Sequence, residues 1–146
     1  MFTIYVYVLD ALADWELGYV ISEVNSGRFF KKDAQRVSLK TVSYSGKPIK
    51  TMGGLTIMPD CLIDDIAVSE TSVLLLPGAD TWNDLKHGAV IKKAEELLSS
   101  GALVCAICGL PLRLPEPDCW ITRPHTSNGP GFLEMFSPGY KRPGFL

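Results

Sequence analysis

The run Ser100-Gly101-Ala102-Leu103-Val104-Cys105-Ala106-Ile107-Cys108-Gly109 constrains this chain more than any other segment. Its small and apolar residues show no alternation, as required of a strand buried on both faces in a parallel sheet. The strand this predicts, Ala102 to Ile107, follows a charged stretch with helical periodicity, Val90 to Leu98, and ends in a cysteine and a glycine. Chain leaving a parallel strand emerges at the carboxyl edge of the sheet, where open α/β sheets hold their ligands. A thiol at that edge, before a Gly able to take a tight turn, resembles a nucleophile elbow aimed at a cleft and at the next helix's N-terminus. The positive end of such a helix favours thiolate over thiol. Cys105, inside the apolar run, reads as a small buried hydrophobe. Cys108, at the exit, reads as a nucleophile.

The remaining segments fit the same architecture. Thr3 to Leu9 is β-branched and aromatic and stops at Asp10, which predicts a first strand. From Asp14, the residues Leu17, Val20, Ile21 and Val24 recur at helical spacing, with Gly27 as the stop. Val37 to Ser43 alternates as a strand does. Ser45-Gly46-Lys47-Pro48 is a turn, and Ile49 to Thr51 and Leu55 to Met58 are short extended pieces. Ser72 to Leu76 is a second doubly buried strand, stopped by Pro77-Gly78. Strands alternating with helices imply right-handed crossovers and a parallel sheet covered on both faces. A single domain over residues 1–146 is expected.

Composition excludes several functions. With a formal net charge of −2 and no basic stripe, a nucleic-acid partner is not expected. The apolar start, Met1 to Leu9, is too short to span a bilayer and has no basic region or cleavage site, so no membrane partner and a cytoplasmic location are expected. The four cysteines at 61, 105, 108 and 119 make no disulfide framework in a chain of this length. Cys105 and Cys108 have C-x-x-C spacing, but residues three apart in a strand point to opposite faces, which argues against a redox or zinc pair. No metal and no cofactor are expected.

Three predicted strands end at one edge with useful chemistry. Leu9 leads through Asp10 to Asp14-Trp15-Glu16, Leu76 leads into Pro77-Gly78-Ala79, and Ile107 into Cys108-Gly109. A carboxyl beside the sulfur can hydrogen-bond and orient it, and amides after Pro77 and at Gly109 can form an oxyanion hole. Each piece alone has a plainer reading: Glu16 as a first-turn acid, Pro-Gly as a simple turn. Their shared edge is what makes them a candidate site, with Trp15, Trp82 and the loop from Asn128 to Phe136 shaping a pocket, although aromatic residues there read equally as core or dimer contacts.

These pieces resemble the ThiJ/PfpI family of the class I glutamine amidotransferase-like superfamily. The resemblance rests on Leu9-Asp10 through Trp15-Glu16, Leu75-Leu76-Pro77-Gly78, Ala106-Ile107-Cys108-Gly109 and Thr126-Ser127. It implies a flavodoxin-like three-layer α/β/α sandwich, a homodimer, Cys108 as nucleophile and Glu16 as its acid partner within hydrogen-bond reach. Gly78, Ala79 and Gly109 are then the anion-binding positions. Two departures stand out. The protease-like members carry a His directly after the cysteine, where this chain has Gly109. Other members carry a His shortly after the Thr-Ser pair, where this chain has Asn128. His125 precedes Thr126 and, with Asn128, is only an accessory candidate; His87 is a weaker one, and a proteolytic triad is not supported.

The segment after Cys108 conflicts with the helix that an elbow should open, because Pro111, Pro115 and Pro117 interrupt it at about 3 kcal/mol each. The codons for Asp118 to Ile121, read one base earlier, give Leu-Leu-Asp, and the preceding bases permit an alanine-rich helical stretch. A compensated frameshift spanning about Leu110 to Thr122 accounts for this, with the match resuming at Pro124 to Ser127. Family members also continue beyond Tyr140-Lys141, so a sheet incomplete at the C-terminus is expected. Two functions follow from the resemblance. One is a cysteine-dependent hydrolase or lyase acting on small carbonyl or amide substrates, deglycase or glyoxalase-like; the other is a non-catalytic redox sensor of the stress response, in which Cys108 is oxidised.

Overall fold

The computed structural model describes residues 1–108. Gly109, His125, Asn128, the 110–122 segment and the C-terminal tail lie outside them. Among the described residues five parallel strands make the central sheet: β1 (Thr3–Tyr7), β2 (Ser38–Ser43), β5 (Cys61–Leu62), β6 (Ser72–Leu76) and β7 (Leu103–Ala106), in the spatial order β5-β2-β1-β6-β7. A two-stranded antiparallel hairpin, β3 (Ile49–Lys50) and β4 (Thr56–Ile57), stands apart from it. Helix α1 (Asp14–Ser26) links β1 to β2, and α2 (Gly88–Ser99) links β6 to β7. The sheet is therefore wound outward in both directions from β1, the flavodoxin-like arrangement.

β1 is central because Tyr5, Val6 and Tyr7 can be buried on both faces, and all three are. Its register places Tyr7 beside Val42 of β2 and Val6 beside Leu75 of β6. Helix α2 buries Val90, Ile91, Ala94 and Leu97, one stripe at helical spacing. Each large apolar side chain sealed this way contributes about 1.5–3 kcal/mol. Helix α1 is less amphipathic than the sequence suggests. Only Leu17 is buried, while Val20, Ile21 and Val24 line a purely apolar cavity of about 170 Å³ against Ile4, Leu39 and Cys105. Gly27 ends α1 with φ of 60°, its amide returning to the Glu23 carbonyl, as a left-handed cap requires.

The hairpin matters to the site because it fixes the segment between β1 and α1. Lys50 donates its amide to Asp10 Oδ1 at 3.0 Å, Ala11 donates to the Lys50 carbonyl at 2.7 Å, and Met52 donates to that of Leu12 at 3.0 Å. Gly53 donates to Asp14 Oδ2 at 2.6 Å, and a side chain there would meet that carboxylate at 2.9 Å. Thr51's hydroxyl and the Gly53 amide hold the Asp14 carboxyl below the usual carboxylate range. Among the described residues no helix is long and apolar enough to cross a membrane.

Candidate active site

The exits of β1, β6 and β7 meet at the switch point of the sheet. Ile107 donates its amide to the Leu76 carbonyl at 3.0 Å, which continues the β6–β7 ladder to the residue before Cys108. Leu12 and Ala79 form an antiparallel bridge, in which Ala13 donates to the Gly78 carbonyl at 2.9 Å and Asp80 to that of Ala11 at 3.3 Å. Residues from sequence positions 16, 78 and 108 are thereby brought onto one edge.

Gly78 is the point they share. A β-carbon placed there would lie 2.7 Å from Glu16 Oε1, 3.0 Å from Oε2 and 2.9 Å from the Cys108 β-carbon. The Glu16 carboxylate and Cys108 therefore flank the same glycine, and only an absent side chain admits both. The Gly78 amide donates to Glu16 Oε2 at 2.5 Å. That bond alters the role expected of Gly78: its proton is engaged by the carboxylate and not presented to an anion. Glu16's hydrogen bond runs to this amide; no hydrogen bond between its carboxylate and the Cys108 thiol is present among the described residues. The Ala79 amide takes no part in the Leu12 bridge and has no backbone acceptor among the described residues.

Cys108 is exposed and adopts φ of 60°. Ala11, in the loop that leads to Glu16, adopts φ of 55°. These are the two non-glycine residues with positive φ among the described residues, and both stand at this edge. Left-handed backbone costs an ordinary residue about 1 kcal/mol or more, and such positions cluster at functional sites. Cys105 has a different environment. It lines the apolar cavity beneath α1, and burial pushes its thiol up.

Two aromatic residues expected to shape a pocket separate here. Trp15 is 69 % exposed beside Glu16, whereas Trp82 is 6 % exposed and belongs to the core. The Trp82 indole N–H donates to the Pro77 carbonyl at 2.8 Å. His87 is buried as well, sharing a 2.7 Å hydrogen bond between Nδ1 and the Tyr7 hydroxyl, with Trp82, Tyr7 and Tyr44 rings 5.4 to 5.8 Å away. Its placement in the core rules it out as a base acting at the exposed Cys108.

Comparison with known proteins identifies the family and the fold. A family model described as the DJ-1/PfpI family matches residues 2–141. A Bacillus subtilis (strain 168) protein named "Uncharacterized protease YoaZ" is 39% identical over 138 residues, which are 94% of this chain and 66% of that protein. The chain thus spans about two thirds of that relative's length. The crystal structure of the thiJ/pfpI family protein from Bacillus anthracis superposes with a TM-score of 0.87 at 39% identity, covering 96% of this chain and 67% of that one. A DJ-1 superfamily protein from Agrobacterium tumefaciens gives a TM-score of 0.77 at 22% identity over 96% of this chain and 70% of that one, a likeness of fold.

Proposed function

The chain belongs to the DJ-1/PfpI family, and from that premise we propose that it is a cysteine-dependent hydrolase or lyase acting on small carbonyl or amide groups, deglycase or glyoxalase-like. The observation that carries this reading is the packing of the Glu16 carboxylate and the exposed Cys108 around Gly78. A nucleophile needs access, a neighbouring proton acceptor and donors for the charge it creates.

In the proposed reaction the Cys108 sulfur adds to the substrate carbonyl carbon. The thiol proton passes to the Glu16 carboxylate, and the carbonyl electron pair moves onto oxygen, held by the Ala79 and Gly109 amides. With an amide, collapse of this adduct expels the amine, which takes the proton from Glu16. Water then cleaves the acyl–sulfur bond and restores the thiol. The word protease belongs to the name of the Bacillus subtilis relative; here Gly109 stands where protease-like members carry His. A homodimer and a cytoplasmic setting complete the proposal.

Turnover of methylglyoxal and of a glyoxal-modified amine tests it, comparing wild type with Cys108→Ala. Activity in the wild type that is lost in the variant supports the enzyme. Equal inactivity of both, with Cys108 oxidised selectively by peroxide, supports the redox sensor instead, since the exposed thiol beside a carboxyl is equally suited to holding an oxidised sulfur.

A further inference from the structure

We propose that Trp82 is a positioning residue for Glu16 and, through it, for the Cys108 thiol. The inference rests on reading Cys108 and Glu16 as a working pair. The Pro77 carbonyl and the Gly78 N–H belong to one peptide unit, and that unit is gripped at both ends. Its oxygen accepts the Trp82 indole proton at 2.8 Å, and its N–H donates to Glu16 Oε2 at 2.5 Å. A peptide is planar and rigid, so the tilt imposed at the oxygen is delivered at the nitrogen. Proline fixes its own φ, which leaves rotation of the Pro77–Gly78 plane about the proline ψ as the principal freedom. The indole removes it.

Trp82 is itself held. The Tyr7 ring lies 5.5 Å from it and the His87 ring 5.4 Å. The short turn carrying it, Asp80–Asn83, is bolted to the exit of β1 by Thr81 Oγ1 donating to the Asp10 carbonyl at 2.6 Å and by the Asp80 amide donating to that of Ala11. A core of aromatic rings is thus connected through one peptide to the carboxylate beside the thiol. The indole has a single donor, and no other group of this side chain can replace it.

The test measures alkylation of Cys108 by iodoacetamide as a function of pH, read by peptide mass spectrometry so that Cys61, Cys105 and Cys119 do not contribute. Wild type, Trp82→Phe, Glu16→Ala and the double variant are compared. The midpoint of the rate profile should move in Trp82→Phe in the same direction as in Glu16→Ala but less far, by about 0.3 pH unit or more, roughly twofold in rate at fixed pH. In the Glu16→Ala background Trp82→Phe should move it no further. Should Trp82→Phe not fold, 3-benzothienylalanine at position 82 keeps the indole shape with sulfur in place of N–H. An unchanged midpoint in a folded variant, or a shift that persists without Glu16, overturns the proposal. Alkylation needs no turnover, so this outcome is separate from whether the chain processes carbonyl substrates.

Discussion

Glu16 and Gly78, 62 residues apart, are joined by a 2.5 Å hydrogen bond from the glycine amide to the carboxylate. With Ala13 donating to the Gly78 carbonyl, and Glu16 donating its own amide to the Ala13 carbonyl at 3.2 Å, the start of α1 is tied to the exit of β6 by a closed set of bonds. The carboxylate is therefore placed by backbone, and its position depends on what Gly78 lacks.

Gly78→Ala should displace the carboxylate. The new methyl would meet Glu16 Oε1 at 2.7 Å and the Cys108 β-carbon at 2.9 Å. The glutamate can swing away, but the cysteine β-carbon is fixed to backbone. Overpacking of this kind costs about 1–3 kcal/mol. The variant should melt earlier, and its Cys108 alkylation profile should resemble that of Glu16→Ala. A profile identical to wild type would show that the two side chains do not crowd this glycine.

Cys108→Gly should be more stable than Cys108→Ala by about 1 kcal/mol, because glycine has no penalty at φ of 60° while alanine keeps it. Were the backbone there ordinary, glycine would instead be the less stable by about 0.5–1 kcal/mol. Denaturant unfolding of the two variants distinguishes these signs.

Much of this arrangement was legible before the structure. Thr3 to Leu9, Ser72 to Leu76 and Ala102 to Ile107 read as buried strands because burial on both faces leaves an unbroken apolar run, and the structure contains β1, β6 and β7 there. Strands β1 and β6 are largely buried, whereas in β7 Leu103 is 58 % exposed and Ala106 is exposed among the described residues. Pro77-Gly78 and Gly27 read as stops because proline has no N–H to continue a ladder and glycine takes the left-handed backbone of a cap at little cost. Three things were not legible. Cys61–Leu62 forms only a two-residue edge strand, too short for any periodicity. Trp82 read equally as a pocket or a core residue, since an indole-to-carbonyl bond across a short 3-10 turn leaves no spacing signal. Gly78's engagement by Glu16 was hidden likewise: sequence places both at one edge but does not say which acceptor its amide will find.

Acid stability should carry the mark of His87. Burial first, and Lys86 second, hold its pKa below the ordinary 6.5, against the opposing influence of Asp84 and Asp10; Tyr7, Tyr44 and Trp82 also face it. A base with a lowered folded pKa leaves stability intact above 6.5. As pH falls through 6.5 the unfolded chain takes up the proton first, and stability is lost until the folded state also protonates. His87→Phe should flatten this part of the stability curve, measured by denaturant unfolding between pH 7.5 and about 5. A slope unchanged by the substitution would place the titrating group elsewhere.

Tyr7→Phe should cost about 1–3 kcal/mol, the penalty of leaving a buried polar atom unpaired. The hydroxyl is the hydrogen-bond partner of His87 Nδ1, and Nε2 has none among the described residues. The variant's thermal midpoint should fall at neutral pH, and the fall should largely disappear in a His87→Leu background. Additive losses would mean that the two groups are not coupled.

Steady-state turnover of methylglyoxal by wild type, Cys108→Ala and Glu16→Ala tests most directly the proposal that Cys108 and Glu16 together process small carbonyl compounds. Many turnovers per chain are expected for wild type, none for Cys108→Ala, and a fall of about 100-fold or more for Glu16→Ala, the usual contribution of a positioned acid–base group. Product formation by Cys108→Ala at the wild-type rate, or no turnover by folded wild type, would contradict it.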